Sequence, residues 1–179
     1  MDCRKAATAL GLALAPAFAV IGQESRGASD DTSRVLSIIG RNERVAIVDG
    51  GVVMQAKVDT GADSTSIDAR QIEEFDRDGA KWVRFETRTN SDKVVTFERE
   101  IIDTVTIVGA GDEKQERLVV SIALCVGDVQ RDVEVNLANR TGLEYRLLLG
   151  RGFLENGGFL VNVAQEFSHD PRCSGTMER

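Results

Sequence analysis

The sequence predicts an all-β fold of many short strands, and three observations point to it. Apolar and polar residues alternate in short runs, as at Met54, Ala56 and Val58 or at Val133, Val135 and Leu137. Turn formers such as Asp49-Gly50-Gly51, Asp78-Gly79 and Val126-Gly127-Asp128 punctuate those runs, at a spacing of roughly 8 to 12 residues that suits a sandwich or barrel. The 179 residues are 42% hydrophobic and 5% aromatic with only two prolines, the composition of one globular domain and not of a collagenous, disordered or polytopic membrane chain.

Residues 1–19, MDCRKAATALGLALAPAFA, set Arg4 and Lys5 before an Ala/Leu-rich run and close on Ala17-Phe18-Ala19. That is the layout of a signal peptide, so export to a bacterial periplasm is expected. A first amphipathic helix is the competing reading, but the run is uncharged from Ala6 to Ile21 and contains Pro16. It is also short for a bilayer, and no stable membrane span is expected after cleavage. Residues 20–34 have almost nothing to bury and read as a flexible linker. A folded domain is expected over 35–165, followed by a C-terminal tail over 166–179.

Strands are expected at 44–49 and 52–58, a hairpin that runs into Asp59. In DARQIEEFD, residues 68–76, Ile72 and Phe75 stand three apart among charges, which predicts a short surface helix before the Asp78-Gly79 turn. Strands resume at 81–88, 94–99, 104–108 and 116–124, the last two joined through Gly109-Ala110-Gly111-Asp112. Residues 133–137 and the apolar triplet Leu147-Leu148-Leu149 complete the set.

The 22 Lys and Arg against 29 Asp and Glu give a net charge of -7. With no basic stripe carrying interleaved aromatics, no nucleic-acid partner is expected. Once the signal is removed with Cys3, Cys125 and Cys173 remain, a number that permits a disulfide without requiring one. Cys125 lies in the apolar run SIALCVG and reads as a buried thiol. His169 is the single histidine, in a polar tail, and no metal-ligand spacing is present, so no metal is expected.

The chemistry concentrates at Val58-Asp59-Thr60-Gly61-Ala62-Asp63. A carboxylate ending an apolar strand and followed by Thr-Gly can be a capped turn. It can also be a working group, because Gly61 lets the backbone approach a ligand and Thr60 offers a hydroxyl for a symmetric contact. The later stretch Leu147-Leu148-Leu149-Gly150-Arg151-Gly152 favours work. Together the two segments resemble the retroviral-type aspartic peptidases, the retropepsins, over roughly residues 44–163. The likeness is closest to a bacterial, RimK/LysX-associated branch often labelled ATP-dependent zinc proteases, through DTGA, FDRDGAKWVRF at 75–85 and YRLLLGRGFL at 145–154.

The resemblance implies an acid-protease barrel with one short helix after Leu-Leu-Gly-Arg, and roles by position. Asp59 would be the catalytic aspartate, Thr60 part of a hydroxyl network between two loops, and Gly61 and Ala62 the lining along the substrate backbone. Asp63 would face substrate and pair with Arg151, while Leu149, Gly150 and Arg151 support the site. Val108, Gly109, Ala110 and Gly111 would form a flap tip over bound peptide. Residues of about 70 to 100 would be an insertion.

Such chemistry needs two carboxylates that share one proton, since like charges this close do not both ionise easily. Only one Asp-Thr-Gly occurs here, so the second would come from a second copy, a two-fold homodimer with both Asp59 residues at its axis. The expected function is an exported aspartic endopeptidase acting on a peptide or protein, with an acidic, bell-shaped pH profile and no cofactor. The branch label is not supported for ATP, because Gly109 to Lys114 lacks the phosphate-loop spacing. Arg84, Arg88, Arg99 and Arg117 could favour acidic peptides, although charges on strands are more often a solvated face. The rival from another class is a catalytically silent binding or assembly module on the same scaffold.

Overall fold

The computed structural model describes residues 36–108 and 114–173. β2 (Asn42–Ile47), buried along almost its whole length, and β3 (Val52–Val58) are antiparallel partners joined by a 3-10 turn at Val48–Gly50. Along β3 the residues Val52, Met54, Ala56 and Val58 are buried while Val53 and Lys57 are exposed, the period of a strand with one face on a core.

β4 (Thr65–Asp68) does not pair with β3. The short β10 (Leu147–Leu149) lies between them, parallel to β3 through Leu149↔Val58 and antiparallel to β4 through Leu147↔Ile67. Outward from β4 come β9 (Val129–Ala138) and β8 (Lys114–Val126), and β8 returns to β2 through Ala46↔Cys125 and Ile47↔Leu124. The ring β2-β3-β10-β4-β9-β8 is thus a closed barrel of six strands, and closure leaves no edge within it. Ile47, Met54, Ile67, Ile122, Leu124, Leu147 and Leu149 fill the interior. The expected all-β barrel is therefore what forms, with one α-helix after the apolar triplet, α1 (Arg151–Gly157).

Three strands extend the barrel: β5 (Arg70–Arg77), β6 (Ala80–Arg88) and β7 (Val94–Val108). The helix expected at 68–76 is wrong. Those residues form β4's end and the edge strand β5, paired to β6 from Arg70↔Glu86 to Arg77↔Ala80. Asp78 and Gly79, both at positive φ, make the two-residue turn that a hairpin demands. Arg77 lies over Phe75 of its own strand at 5.0 Å and over Trp82 of β6 at 4.5 Å, so a cross-strand cation–π contact helps hold a strand with little to bury. The strands expected at 94–99 and 104–108 are a single strand, β7, with a register irregularity between Ile101 and Asp103 where it meets β8.

β1 (Ser37–Gly40) and β11 (Phe159–Asn162) form a separate parallel pair. Its inner face carries Ile39, fully buried, beside Val161, which packs on the core. The chain after β11 folds back over β1 and β2: Arg41 N–H donates to Gln165, Phe167 N–H to Asn42 and Arg172 N–H to Gly127. Glu43, fully buried, accepts the amides of Gly40 at 2.6 Å, Ser168 at 3.2 Å and His169 at 3.2 Å. His169 is tied to β1, its Nε2 donating to the Ile38 carbonyl at 2.8 Å. Cys125 is buried as expected but is no thiol: it is disulfide-bonded to Cys173, which ties this segment to the end of β8. Among the described residues no helix is long and apolar enough to cross a membrane.

Candidate active site

The placing of β10 between β3 and β4 builds the site. The chain leaving β3 must cross the end of β10 to reach β4, and residues 59–64 are that crossing. Asp59 N–H donates to the Leu149 carbonyl at 2.9 Å, so the aspartate is fixed at the point where β3 and β10 end together. Its carbonyl accepts the Ala62 amide at 3.2 Å and its Oδ1 accepts the Gly61 amide at 3.0 Å, closing the loop on itself.

The other side of the crossing is held by the turn into α1. Gly150 N–H donates to Thr65 Oγ1 at 3.2 Å, Arg151 N–H to the Ala62 carbonyl at 2.8 Å and Gly152 N–H to the Asp63 carbonyl at 3.1 Å. A Cβ at Gly150 would stand 2.4 Å from the Ser64 carbonyl oxygen, so only glycine permits this approach. The Arg151 guanidinium pairs with Asp63 and donates from one nitrogen to the carbonyls of Thr60 and Gly61, each at 3.1 Å. Asn136 completes the brace from β9, donating to Ser64 Oγ and to the Thr65 carbonyl.

Of the residues singled out from sequence, Asp59, Thr60, Gly61, Ala62 and Asp63 thus meet Leu149, Gly150 and Arg151 in one hydrogen-bonded unit. Val108 ends β7 with its side chain exposed. Gly109, Ala110 and Gly111 lie outside the described residues, although β7 and β8 pair up to Val108↔Lys114 as a hairpin requires. Leader and linker, residues 1–34, also lie outside them.

Two cations next to Asp59 were not singled out from the sequence. Lys57, two residues back on the same side of the chain, sets its Nζ 3.2 Å from Asp59 Oδ2; period-2 reading of β3 carries the signal for it. Burial pushes the Asp59 carboxyl up, but the hydrogen bond and charge of Lys57, with the Gly61 and Ala62 amides, outweigh it and hold the group below its ordinary range. Arg140, after β9, is half-buried, donating to the Tyr145 carbonyl and to Ser66 Oγ. Burial draws its guanidinium down, Asp68 draws it up, Arg117 opposes and Asp59 assists.

Beside Lys57 and Arg140 opens a cleft of about 660 Å³, lined also by Arg41, Leu143, Tyr145 and Glu166. Of the four arginines considered for acidic peptides, Arg84 is paired with Glu73 and Glu98, Arg99 with Asp49, and Arg88 donates to the Asp92 carbonyl. Arg117 differs: half-buried, it donates to the neutral Gln115 and Asn136. Among the described residues no three His, Cys, Asp or Glu side chains gather as a metal site.

Residues 38–172 match the RimB-like family model, described as "Retropepsin-like aspartic endopeptidase RimB". The chain is 37% identical over 134 residues to a Shewanella pealeana protein named "Probable alpha-L-glutamate ligase", covering 73% of this chain and 29% of that one. A Desulfotalea psychrophila protein of the same name is 36% identical over 118 residues, covering 64% and 25%. The chain therefore spans less than a third of these relatives. Among solved structures, Lpg0085, a Legionella pneumophila protein of unknown function, superposes with a TM-score of 0.66 at 33% identity, covering 74% of this chain and 97% of that one.

Proposed function

Because this chain belongs to the RimB-like family of retropepsin-like aspartic endopeptidases, we propose that it hydrolyses peptide bonds through water activated by two copies of Asp59. The observation that carries this reading is the setting of Asp59. Its side chain is 27% exposed, open enough to meet substrate, while a loop braced from β10, α1 and β9 fixes it in place. One Asp59 accepts a proton from water while its counterpart donates to the carbonyl oxygen of the scissile amide. The single Asp-Thr-Gly of the sequence requires the counterpart to come from a second copy of the chain. Thr60, exposed beside Asp59, would make the cross-axis hydroxyl contact, and the β7–β8 hairpin would close over the peptide.

Acidic peptides are the proposed substrate class. The relatives' names point to glutamate chemistry, and Arg117, whose side-chain bonds go to neutral groups, stands ready for a carboxylate. Export is proposed from residues 1–19, and the Cys125–Cys173 disulfide suits an oxidising compartment.

The test is cleavage of a peptide library, glutamate-rich members included, by the chain from Val20 onward and by its Asp59→Ala variant, with a chelator present and dimerisation checked. Cleavage by the native chain alone is expected, with a bell-shaped, acidic pH profile. If both dimerise and neither cleaves, the scaffold is a binding module.

A further inference from the structure

We propose that Lys57 is a positioning residue for Asp59, one that sets the pH range over which the Asp59 carboxyl holds a proton. The inference deepens the reading of Asp59 as the working carboxylate and rests on it. Lys57 lies on the exposed face of β3 between the buried Ala56 and Val58, and its side chain is 53% exposed. It packs nothing in the core, yet its ammonium reaches Asp59 Oδ2 at 3.2 Å while the Gly61 amide occupies Oδ1 at 3.0 Å. Each carboxylate oxygen thus carries a donor that favours the ionised form.

The other charged groups around Asp59 are committed elsewhere. On α1, Arg151 is taken by Asp63 and by the carbonyls of Thr60 and Gly61. After β9, Arg140 is held by the Tyr145 carbonyl and Ser66, with Asp68 facing it, and it feels the Asp59 charge without a hydrogen bond to it. Across the cleft Arg41 pairs with Glu166, and Glu144 stands beside Tyr145, whose phenol burial and Glu144 together push up. Lys57 is the cation whose charge meets the Asp59 carboxylate directly.

A shared-proton pair needs one proton on two carboxylates. A cation touching each copy shifts the singly protonated state to lower pH and turns the reaction down towards neutrality. Lys57 therefore restrains the enzyme at neutral pH, and loss of its charge moves the working range up.

Lys57→Met keeps the aliphatic stem without the charge, and Lys57→Arg keeps the charge. Titration of the Asp59 carboxyl by carbon NMR in the full chain, for both variants and the native protein, reads the inference directly. In Lys57→Met the midpoint is expected to rise, with the alkaline limb of kcat/KM following, while Lys57→Arg stays near the native profile. An unmoved midpoint in Lys57→Met, or an equal shift in Lys57→Arg, overturns it. A moved midpoint without any peptide cleavage upholds the role of Lys57 and removes the peptidase reading; cleavage with an unmoved midpoint does the reverse.

Discussion

Arg151 and Asp63 form an ion pair that ties the start of α1 to the loop carrying Asp59, and the same guanidinium holds the Thr60 and Gly61 carbonyls at 3.1 Å. The Asp63 side chain is 87% exposed, and a pair that open contributes at most about 1 kcal/mol. Its consequence is geometric, because it fixes a loop that must present a carboxylate to within a fraction of an ångström. Arg151→Met is expected to unfold at nearly the native temperature yet lose at least tenfold in kcat. Asp63→Asn, which leaves the two carbonyl contacts, should lose less. Thermal denaturation beside kinetics decides, and a large fall in melting temperature for Arg151→Met would make the pair structural.

Gly150 tests the crossing from the other side. An alanine there drives a methyl to 2.4 Å from the Ser64 carbonyl oxygen, which is backbone and cannot swing away. Overpacking of this kind costs about 1–3 kcal/mol, and relief comes only by moving the loop off β10. Gly150→Ala is expected to be both destabilised and inactive, by denaturant melts and peptide assay, whereas Gly152→Ala, with its nearest neighbour at 3.6 Å, should be neutral for stability.

The Cys125–Cys173 bond closes a loop spanning 48 residues and anchors the segment that caps Glu43. Cys173→Ser is expected to cost about 2–4 kcal/mol, and reductant should bring the native protein down to the same level. Cys125 is fully buried, but its Sγ stands 3.3 Å from the Gly127 carbonyl, so a serine hydroxyl there keeps an acceptor and Cys125→Ser should fall by a similar amount. Equal melts with and without reductant would show that the bond contributes nothing to folding.

The barrel was legible where a strand has one wet face or is a short apolar run. Val52 to Val58 alternates cleanly, and Leu147 to Leu149 is an apolar run too short for anything but a buried strand. The edge strand β5 was not legible: most of its residues face solvent, so Ile72 and Phe75 imitate a helical spacing, and what holds it is β6, absent from any local window. The site was legible in its motifs and, through the family resemblance alone, in the Asp63–Arg151 part of its brace. Nothing local to Asp59 says that Leu149 will accept its amide or that β10 will separate β3 from β4, since those partners lie some ninety residues away. Lys57 sat within reach of the same alternation that revealed β3, but an exposed lysine on a strand has an ordinary explanation.

The outer face of the β1–β11 pair is where a second copy is expected to sit. Ile38 and Leu160 are register partners on that face, 54% and 50% exposed, with Leu36 and Val163 exposed close by. Apolar residues gathered this way mark an interaction surface. A double change, Ile38→Asp with Leu160→Asp, sets like charges side by side and should yield a folded monomer without peptidase activity. Sedimentation and circular dichroism test this, and a dimer that persists would move the contact elsewhere.

Dimerisation itself should take up a proton. In the single chain Asp59 is held below its ordinary value, 3.8, because Lys57 and the two loop amides outweigh burial. Bringing a second Asp59 to the axis adds a like charge and raises the affinity of the pair for its shared proton. A group whose pKa rises on association favours the associated state at low pH and loses that advantage as pH climbs through the raised value. The dimer dissociation constant is therefore expected to fall on acidification, by up to tenfold per pH unit, between the raised pKa of the pair and the depressed pKa of the free chain. Below that window the slope should vanish, because the free chain is protonated too. Asp59→Asn should flatten the dependence, and a native dimer whose dissociation constant is indifferent to pH across the acidic range would mean that the two aspartates do not meet.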